Sequence, residues 1–372
     1  MSTLIVMSAY IALADGRVVE GRSRAPGTGR GELVFTTAYT GYEESLTDPS
    51  YAEQVLTFSY PLIGNYGVRE ERFESESVTP RVAVAREFTD DVADWLESEG
   101  IPAVDAVDTR ELVTSVREQG AMRCGVAAGP DATPEQAREQ LESCVEMSDH
   151  VDIGAQVSVD EPEIYEGNGA RVALLDCGAK KSIVDSLTAR SAEVHRLPYD
   201  STPGEVAAVD PDLVFVSNGP GDPANFEAAG AVVEEFVGEV PIAGICLGQQ
   251  VVARSLGGAT EKMEFGHRGL NQPVRDLETD RVIMTTQNHG YSVADPGDLA
   301  VTQVNVNDGT AEGLEGVDID VLTRQYHPEA NPGPHDSLGF FDDVLDMAER
   351  PAPAVASDWA PRHVLFLLPS RE

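Results

Sequence analysis

The chain of 372 residues is long enough for two domains, since most domains contain about 100–200 residues. Its 41% hydrophobic residues are sufficient for packed cores and exclude a disordered chain. The formal net charge of −38 repels phosphate backbones, so we expect no nucleic acid among its partners.

Residues 1–152 have the pattern of a mixed α/β domain. Apolar, β-rich runs predict strands at 31–37, 54–60 and 81–85. A helix is predicted at 90–100, where the spacing is amphipathic and the segment closes on a glycine, and two more are predicted at 109–119 and 133–147. The second helix follows Asp108, and Glu111 stands three residues later at the spacing of a capping box. Residues 153–169 collect Asp, Glu, Pro and Gly, which predicts a linker.

Residues 170–350 alternate short continuous apolar runs with helical stretches. Runs at 171–175, 212–216 and 240–245 are each followed by a predicted helix, which is typical of parallel strands buried on both faces. Two more strands are predicted at 281–286 and 320–326, and a closing helix at 338–350. We therefore predict a three-layer α/β domain with a mainly parallel sheet. Residues 351–372 form a tail to which we assign no role.

The sequence contains no segment that points to a membrane. No apolar run approaches the roughly 20 residues that span a bilayer. Residues 1–16 have no basic segment before their apolar stretch and so do not resemble a signal peptide. We expect a cytoplasmic protein.

One motif places a reactive side chain between a buried strand and a helix. In the segment 241–250, Gly244 and Gly248 flank Cys246 at two residues on each side. This is the pattern of a nucleophile elbow with cysteine in place of serine, and the helix N-terminus favours the thiolate. The alternative is a buried, inert cysteine. Cys177 lacks the flanking pattern, and we assign it to that alternative.

A nucleophilic thiolate requires a histidine that is oriented by a third group. Of the seven histidines, only His327 follows a predicted buried strand and has a carboxylate, Glu329, two residues later. The carboxyl ends of parallel strands share one edge of a sheet, so we expect His327 and Cys246 to meet there. His289 lies in a loop near the same edge and receives at most a supporting role.

Two further patterns bear on ligands. The segment 217–223, Ser-Asn-Gly-Pro-Gly-Asp-Pro, exposes backbone N–H groups that can bind a negatively charged oxygen, unless it is an ordinary glycine-rich turn. No GxxxxGK[ST] motif occurs, so no P-loop for ATP is expected. The cysteines form no CxxC pair and have no zinc-like spacing with histidine, so we expect neither a disulfide framework nor a metal site.

Taken together, the segments around Cys246, 217–223 and His327 resemble a class I glutamine amidotransferase domain. Segments in the first half are similar to the N-terminal domain of the small subunit of glutamine-hydrolysing carbamoyl-phosphate synthase; they are 31–35, 40–42, 46–51, 60–67 and 108–112. Segments 176–180, 287–291 and 332–336 fit the same family. The resemblance extends from residue 9 to about residue 349.

The resemblance implies roles for individual residues. Cys246 would be the nucleophile, His327 the general acid and base, and Glu329 the group that orients His327. The glutamine contacts of the family match Ser50, Gly219, Gly221, Leu247, Gln250, Asn288, Gly290 and Tyr291. Since Ser50 belongs to the first domain, the glutamine pocket should lie between the domains. Gln249 departs from the family, which usually has histidine at a position that is not catalytic.

The resemblance also implies a division of labour between two chains. This chain would hydrolyse L-glutamine without a cofactor, and ammonia would pass to a large subunit that holds ATP and magnesium. That subunit would make carbamoyl phosphate from bicarbonate and two ATP, for arginine and pyrimidine biosynthesis. Two alternatives are an amidotransferase of anthranilate or GMP synthesis, which would not require the first 150 residues, and a scaffold that has lost catalysis, which an intact triad argues against.

The acidic charge suggests adaptation to salt. The sequence has 64 acidic residues against 26 basic ones, and only three of the latter are lysines: Lys180, Lys181 and Lys262. The acidic residues are spread along the chain, so self-repulsion acts over the whole surface. We interpret this as a haloadapted surface; the alternative is an acidic mesophilic protein.

We predict that the thermal midpoint rises with KCl concentration. The Debye length falls from about 10 Å at 0.1 M to about 3 Å at 1 M salt, so repulsion between exposed carboxylates weakens mostly at the low end. Melts of the isolated chain in about 0.1 M and about 2 M KCl measure this effect. Equal midpoints, or a lower midpoint in the concentrated salt, would contradict the haloadapted interpretation.

Overall fold

The computed structural model describes residues 7–350, and the tail at 351–372 lies outside them. Among the described residues, the strands of the first domain are β1 Ser8–Leu13, β2 Val18–Ala25, β3 Gly27–Thr36, β4 Gln54–Phe58, β5 Leu62–Ile63, β6 Val82–Val84, β7 Glu87–Phe88, β8 Ala103–Asp105 and β9 Met122–Gly129. Its helices are α1 Tyr42–Thr47, α2 Asp90–Ser98, α3 Thr109–Gln119 and α4 Pro134–Glu142. The mixed α/β character predicted for this part of the chain is confirmed.

Seven of these strands close into a barrel in the order β1-β2-β8-β6-β4-β3-β9. Side chains alternate between two cores, because successive residues of a strand point to opposite faces. On β3, Leu33 and Phe35 pack in one cluster with α3, and Val34 packs in the other with α2. Helix α3 has the predicted bounds, and the Asp108 side chain accepts a hydrogen bond from the backbone N–H of Glu111 (3.1 Å).

Helix α4 is shorter than the predicted helix 133–147. It begins after Thr133, which forms a reciprocal capping box with Gln136, and its C-cap is Ser143. Beyond the helix, Met147 packs in a core of the second domain, whereas Ala137 of the helix packs against the barrel. The chain leaves the helix because these two residues are buried in different places.

The second domain is built on a ten-stranded sheet. Its strands are β10 Glu163–Tyr165, β11 Arg171–Asp176, β12 Glu193–Pro198, β13 Leu213–Val216, β14 Ile242–Ile245, β15 Ala259–Asp276, β16 Val282–Asp295, β17 Leu299–Asn305, β18 Ala311–Gly316 and β19 Val321–Arg324. Its helices are α5 Lys181–Thr188, α6 Pro203–Val209, α7 Glu227–Phe236, α8 Leu247–Ser255 and α9 Phe340–Ala348.

Two apolar cores cover the two faces of this sheet, which confirms the three-layer arrangement. On β11, Val172 and Leu174 pack on the side of α5 and α9, and Ala173 and Leu175 pack on the side of α6, α7 and α8. All four side chains are fully buried. Burial on both faces explains why this strand appears in the sequence as a continuous apolar run.

The sheet is parallel only in the half that carries Cys246. Strands β11, β13, β14 and β19 pair in parallel, as predicted, and β12, which was not predicted, pairs in parallel with β11. Strands β18, β17, β15 and β16 extend the sheet in antiparallel pairings, so the predicted mainly parallel sheet describes only one half. Of these four strands, only β16 coincides with a predicted strand, the one at 281–286. Strands β15 and β16 are half exposed and interrupted by bulges, so they lack both the continuous and the regularly alternating pattern.

The segment predicted as a linker, 153–169, contains regular structure. Its strand β10 pairs antiparallel with β12 at the edge of the large sheet. Farther upstream in this segment, the backbone N–H of Val159 donates to Asp176 (2.8 Å). The segment is therefore packed on the second domain. In residues 7–350, no helix is both long and apolar enough to cross a membrane.

Candidate active site

Cys246 stands at the turn between β14 and α8 in a strained conformation. Its φ is 54° and its ψ is −107°, a backbone conformation that residues other than glycine rarely adopt. The backbone N–H donates to the carbonyl of Arg324 on β19 (2.8 Å), and the thiol donates to the carbonyl of Asn288 (Sγ to O, 3.6 Å). This strand–turn–helix geometry is that of a nucleophile elbow.

The flanking glycines are required because backbone segments meet closely at this turn. A Cβ on Gly248 would lie 2.1 Å from the carbonyl oxygen of Val216, and one on Gly244 would lie 2.8 Å from the backbone carbon of Gly248. Neither position has room for a side chain. The elbow therefore depends on both glycines of the motif that identified it.

His327 and Glu329 lie at the adjacent strand end, as expected from the parallel sheet. The Nδ1 atom of His327 is 2.6 Å from Oε1 of Glu329. Both side chains are almost fully buried, and Nε2 of His327 has no hydrogen-bonded partner among the described residues. Nε2 is thus the nitrogen available for proton exchange with Cys246 and a substrate.

A buried lysine completes this arrangement. The Nζ atom of Lys180 donates to Oε1 of Glu329 (3.0 Å) and to the carbonyl of Asn331 (2.7 Å), and it lies 3.8 Å from Oε1 of Glu74. Glu74 belongs to the first domain, where it also accepts from the backbone N–H of Ser182 (3.0 Å). One ammonium group therefore connects the orienting carboxylate to the other domain.

Charge keeps the buried pair ionised. Burial disfavours the imidazolium form of His327, but Glu329 and Cys246 outweigh this effect and raise its pKa to about 10. Burial also disfavours the Glu329 carboxylate, yet Lys180 and His327 lower its pKa to about 2. The imidazolium–carboxylate pair is consequently stable across the neutral range.

A cavity beside Cys246 collects every residue predicted to contact glutamine. Its lining includes Ser50, Gly219, Gly221, Leu247, Gln250, Asn288, Gly290 and Tyr291. Seven of these come from a loop, helix α8 and strand β16 of the second domain, and Ser50 comes from a short turn of the first. The structure thus places the cavity between the two domains.

Hydrogen bonds hold this domain junction together. The backbone N–H of Ser50 and the side-chain amide of Asn288 donate to the two oxygens of Asp48 (2.9 and 2.8 Å). The side-chain amide of Asn218 donates to Oγ of Ser50 (3.0 Å), and its oxygen accepts from the backbone N–H of Lys180 (3.1 Å). The elements that line the cavity are therefore linked to those that hold Glu329.

The remaining candidates have other environments. Burial raises the pKa of the Cys177 thiol well above its ordinary value, so this cysteine is unreactive at neutral pH. Burial lowers the pKa of His289 well below its ordinary value, and both of its ring nitrogens lie within 3.0 Å of protein oxygens. Gln249 is fully buried and bonds to Ala311 and Thr323 outside the cavity lining.

His267, His289 and Glu312 form the one group of potential metal-binding side chains in the described part of the chain. Their donor atoms lie within 4.8 Å of one another. His267 stands between carboxylates, with Nε2 2.7 Å from Asp308 and Nδ1 3.6 Å from Glu312. The contacts describe a hydrogen-bonded network behind the cavity, which spacing along the chain did not predict.

Sequence reasoning assigned no role to Lys180, Glu74 or Asp48. Their partners are distant in the sequence; the residue numbers of Lys180 and Glu329, for example, differ by 149. One signal in the sequence could have pointed to Lys180. It is one of only three lysines in an acidic chain, and it follows a predicted buried strand and a turn that contains glycine. A lysine retained at such a place indicates a specific partner.

The fold and the site define the second domain as a class I glutamine amidotransferase. Residues 173–347 match the family described as "Glutamine amidotransferase class-I". Residues 11–126 match the family described as "Carbamoyl-phosphate synthase small chain, CPSase domain".

The chain is 69% identical to the carbamoyl phosphate synthase small chain of Halobacterium salinarum over 341 residues, which are 92% of this chain and 97% of that protein. It is 41% identical to the small chain of Methanocaldococcus jannaschii (92% of this chain, 100% of that protein) and 42% identical to that of Archaeoglobus fulgidus (92% and 99%). The chain belongs to the carbamoyl phosphate synthase small chain family, which is the glutamine amidotransferase component of the synthase. Membership implies a large subunit as partner, and the Halobacterium relative fits the haloadapted interpretation.

We predict that Lys180→Met destabilises the protein, whereas Lys181→Met does not. Removing Lys180 leaves Glu74 buried without a cation and Glu329 with only His327, which costs about 3–5 kcal/mol of unfolding free energy. Lys181 is the matched control, because its side chain is 60% exposed and its ion pair with Asp185 contributes at most about 1 kcal/mol. Denaturant unfolding in molar KCl measures both variants. Equal effects of the two substitutions would contradict the bridging role of Lys180.

Proposed function

We propose that this chain hydrolyses the side-chain amide of L-glutamine through Cys246, His327 and Glu329. The Cys246 thiolate attacks the carboxamide carbon of the substrate. Backbone N–H groups of the 219–221 loop and of Leu247 bind the oxygen that becomes negative in the tetrahedral intermediate. The imidazolium of His327 then protonates the departing nitrogen, and ammonia leaves a γ-glutamyl thioester on the sulfur.

The same groups complete the hydrolysis. Once the sulfur is acylated, it no longer carries the charge that helps to keep His327 protonated, so the ring that has given its proton to ammonia remains neutral. Neutral His327 removes a proton from water, and the resulting hydroxide attacks the thioester. Collapse of the second intermediate expels the thiolate, and glutamate leaves after its new γ-carboxyl group has lost a proton to solvent. His327 keeps the proton that it took from water, so the starting thiolate–imidazolium pair is restored. Glu329 stays ionised throughout and orients the ring.

One observation carries this proposal: a single cavity contains the strained cysteine and all eight predicted glutamine contacts. The eight residues come from distant parts of the chain and from both domains. An amidotransferase scaffold without catalysis would not require the buried His327–Glu329 pair, which is costly to maintain unless it is used.

We further propose that the ammonia is delivered to the large subunit. There it would react with bicarbonate and two ATP, with magnesium, to give carbamoyl phosphate for arginine and pyrimidine biosynthesis. The family membership supports this division, and the absence of a P-loop motif in this sequence is consistent with an ATP site on the partner.

The test compares Cys246→Ser with Cys177→Ser in the complex with the large subunit. We expect Cys246→Ser to lose glutamine-dependent carbamoyl phosphate synthesis and to retain synthesis from free ammonia, because the hydroxyl is a far weaker nucleophile than a thiolate. Cys177→Ser is the matched control, because Cys177 is also a buried cysteine and lies beside Gly219 of the 217–223 loop. This variant should retain both activities. Glutamine-dependent synthesis near the wild-type rate in Cys246→Ser would refute the proposal.

A further inference from the structure

A guanidinium group lies buried at the cavity wall without a carboxylate partner. Arg268 stands on β15, directly opposite Asn288 on β16, and only 4% of the residue is exposed. Its Nη1 donates to the carbonyl of Phe265 (2.6 Å), whereas Nε is buried and has no hydrogen-bond partner. Within residues 7–350 Arg268 forms no ion pair, and the nearby carboxylate of Glu32 pairs with Lys262 instead (2.6 Å).

The guanidinium lies directly beside a predicted glutamine contact. A Cβ on Gly290 would be 3.1 Å from Nη2 of Arg268, and a Cβ on Gly266 would be 2.6 Å from Nη1. Arg268, Gly290 and Cys246 line the same cavity. Because Gly290 and Gly266 have no side chains, the guanidinium has room to reach the cavity.

An unpaired buried cation is costly, and proteins normally pair such a group or neutralise it. Burial lowers the pKa of Arg268 from its ordinary value, which shows the direction of this cost, but an arginine remains charged at neutral pH. An anion that enters the cavity would supply the missing partner. The planar guanidinium matches a carboxylate through two parallel hydrogen bonds.

We propose that Arg268 binds the α-carboxylate of L-glutamine and thereby determines the specificity of the cavity. The inference rests on the proposed glutaminase function, in which the α-carboxylate is the one anionic group of the substrate. Glu32, which is buried in the same cavity lining, supplies a negative charge suited to the α-ammonium group. The two opposite charges match the zwitterion of an α-amino acid.

The test measures kcat and KM for L-glutamine in the complex with the large subunit, in molar KCl. Arg268→Gln should raise KM by about 30–100-fold and change kcat by less than about threefold, because the lost contact is present in both the ground and the transition state. Arg268→Lys, which keeps the positive charge but not the planar guanidinium with its two parallel hydrogen bonds, should give a smaller rise in KM. Arg275→Gln, on the same strand with a side chain that is 48% exposed, is the matched control and should behave as the wild type.

A second readout uses 4-aminobutanamide, which is L-glutamine without its α-carboxylate. Its inhibition constant should agree within about twofold between the wild type and Arg268→Gln, because the analogue has no α-carboxylate for Arg268 to bind. If Arg268→Gln does not fold, Arg268→Lys is used in the same comparison.

Three results would overturn the inference and leave the glutaminase proposal intact. They are an unchanged KM, equal increases in KM and in the inhibition constant of the analogue, and a loss of kcat at constant KM with a shifted pH profile. The last result would indicate that Arg268 acts on the Cys246 thiolate. A wild-type complex that does not hydrolyse glutamine would overturn the proposed function and this inference with it.

Discussion

The architecture of the site depends on one buried ammonium group. Nζ of Lys180 lies between Glu329 and Glu74, and no other lysine or arginine among the described residues lies within ion-pair distance of either carboxylate. Without this charge, Glu329 would tend to protonate in its apolar surroundings and would no longer hold His327 as an imidazolium. Because Glu74 belongs to the barrel domain, the same contact ties the orientation of the histidine to the packing of the two domains.

The large sheet places the groups that this cation supports. Strands β13, β14 and β19 are parallel neighbours, so their carboxyl ends bring the 217–223 loop, Cys246 and the His327 segment to one edge. The antiparallel strand β16 then closes the cavity with Asn288, Gly290 and Tyr291. The parallel strands thus supply the groups that we propose to react, and the antiparallel extension with the barrel domain supplies much of the cavity wall.

The sequence predicted the features that depend on local spacing. The elbow around Cys246 and the proximity of His327 to Glu329 follow from short motifs, and helix α3 follows from the capping-box spacing of Asp108 and Glu111. Contacts between distant residues had no such signal: Lys180 with Glu74 joins two domains, and the unpaired state of Arg268 depends on what the fold places around it. The antiparallel strands were missed because bulges and partial exposure interrupt their pattern.

The proposed function depends on acylation of the Cys246 thiol by the side chain of glutamine. The most direct measurement is peptide mapping by mass spectrometry of the complex, acid-quenched during turnover with L-glutamine, since low pH preserves a thioester. We expect a γ-glutamyl group on the peptide that contains Cys246, and the loss of this group when the sample is treated with hydroxylamine. A γ-glutamyl group on Cys177, or steady glutamine hydrolysis by a protein that carries no such group at any time during turnover, would contradict it.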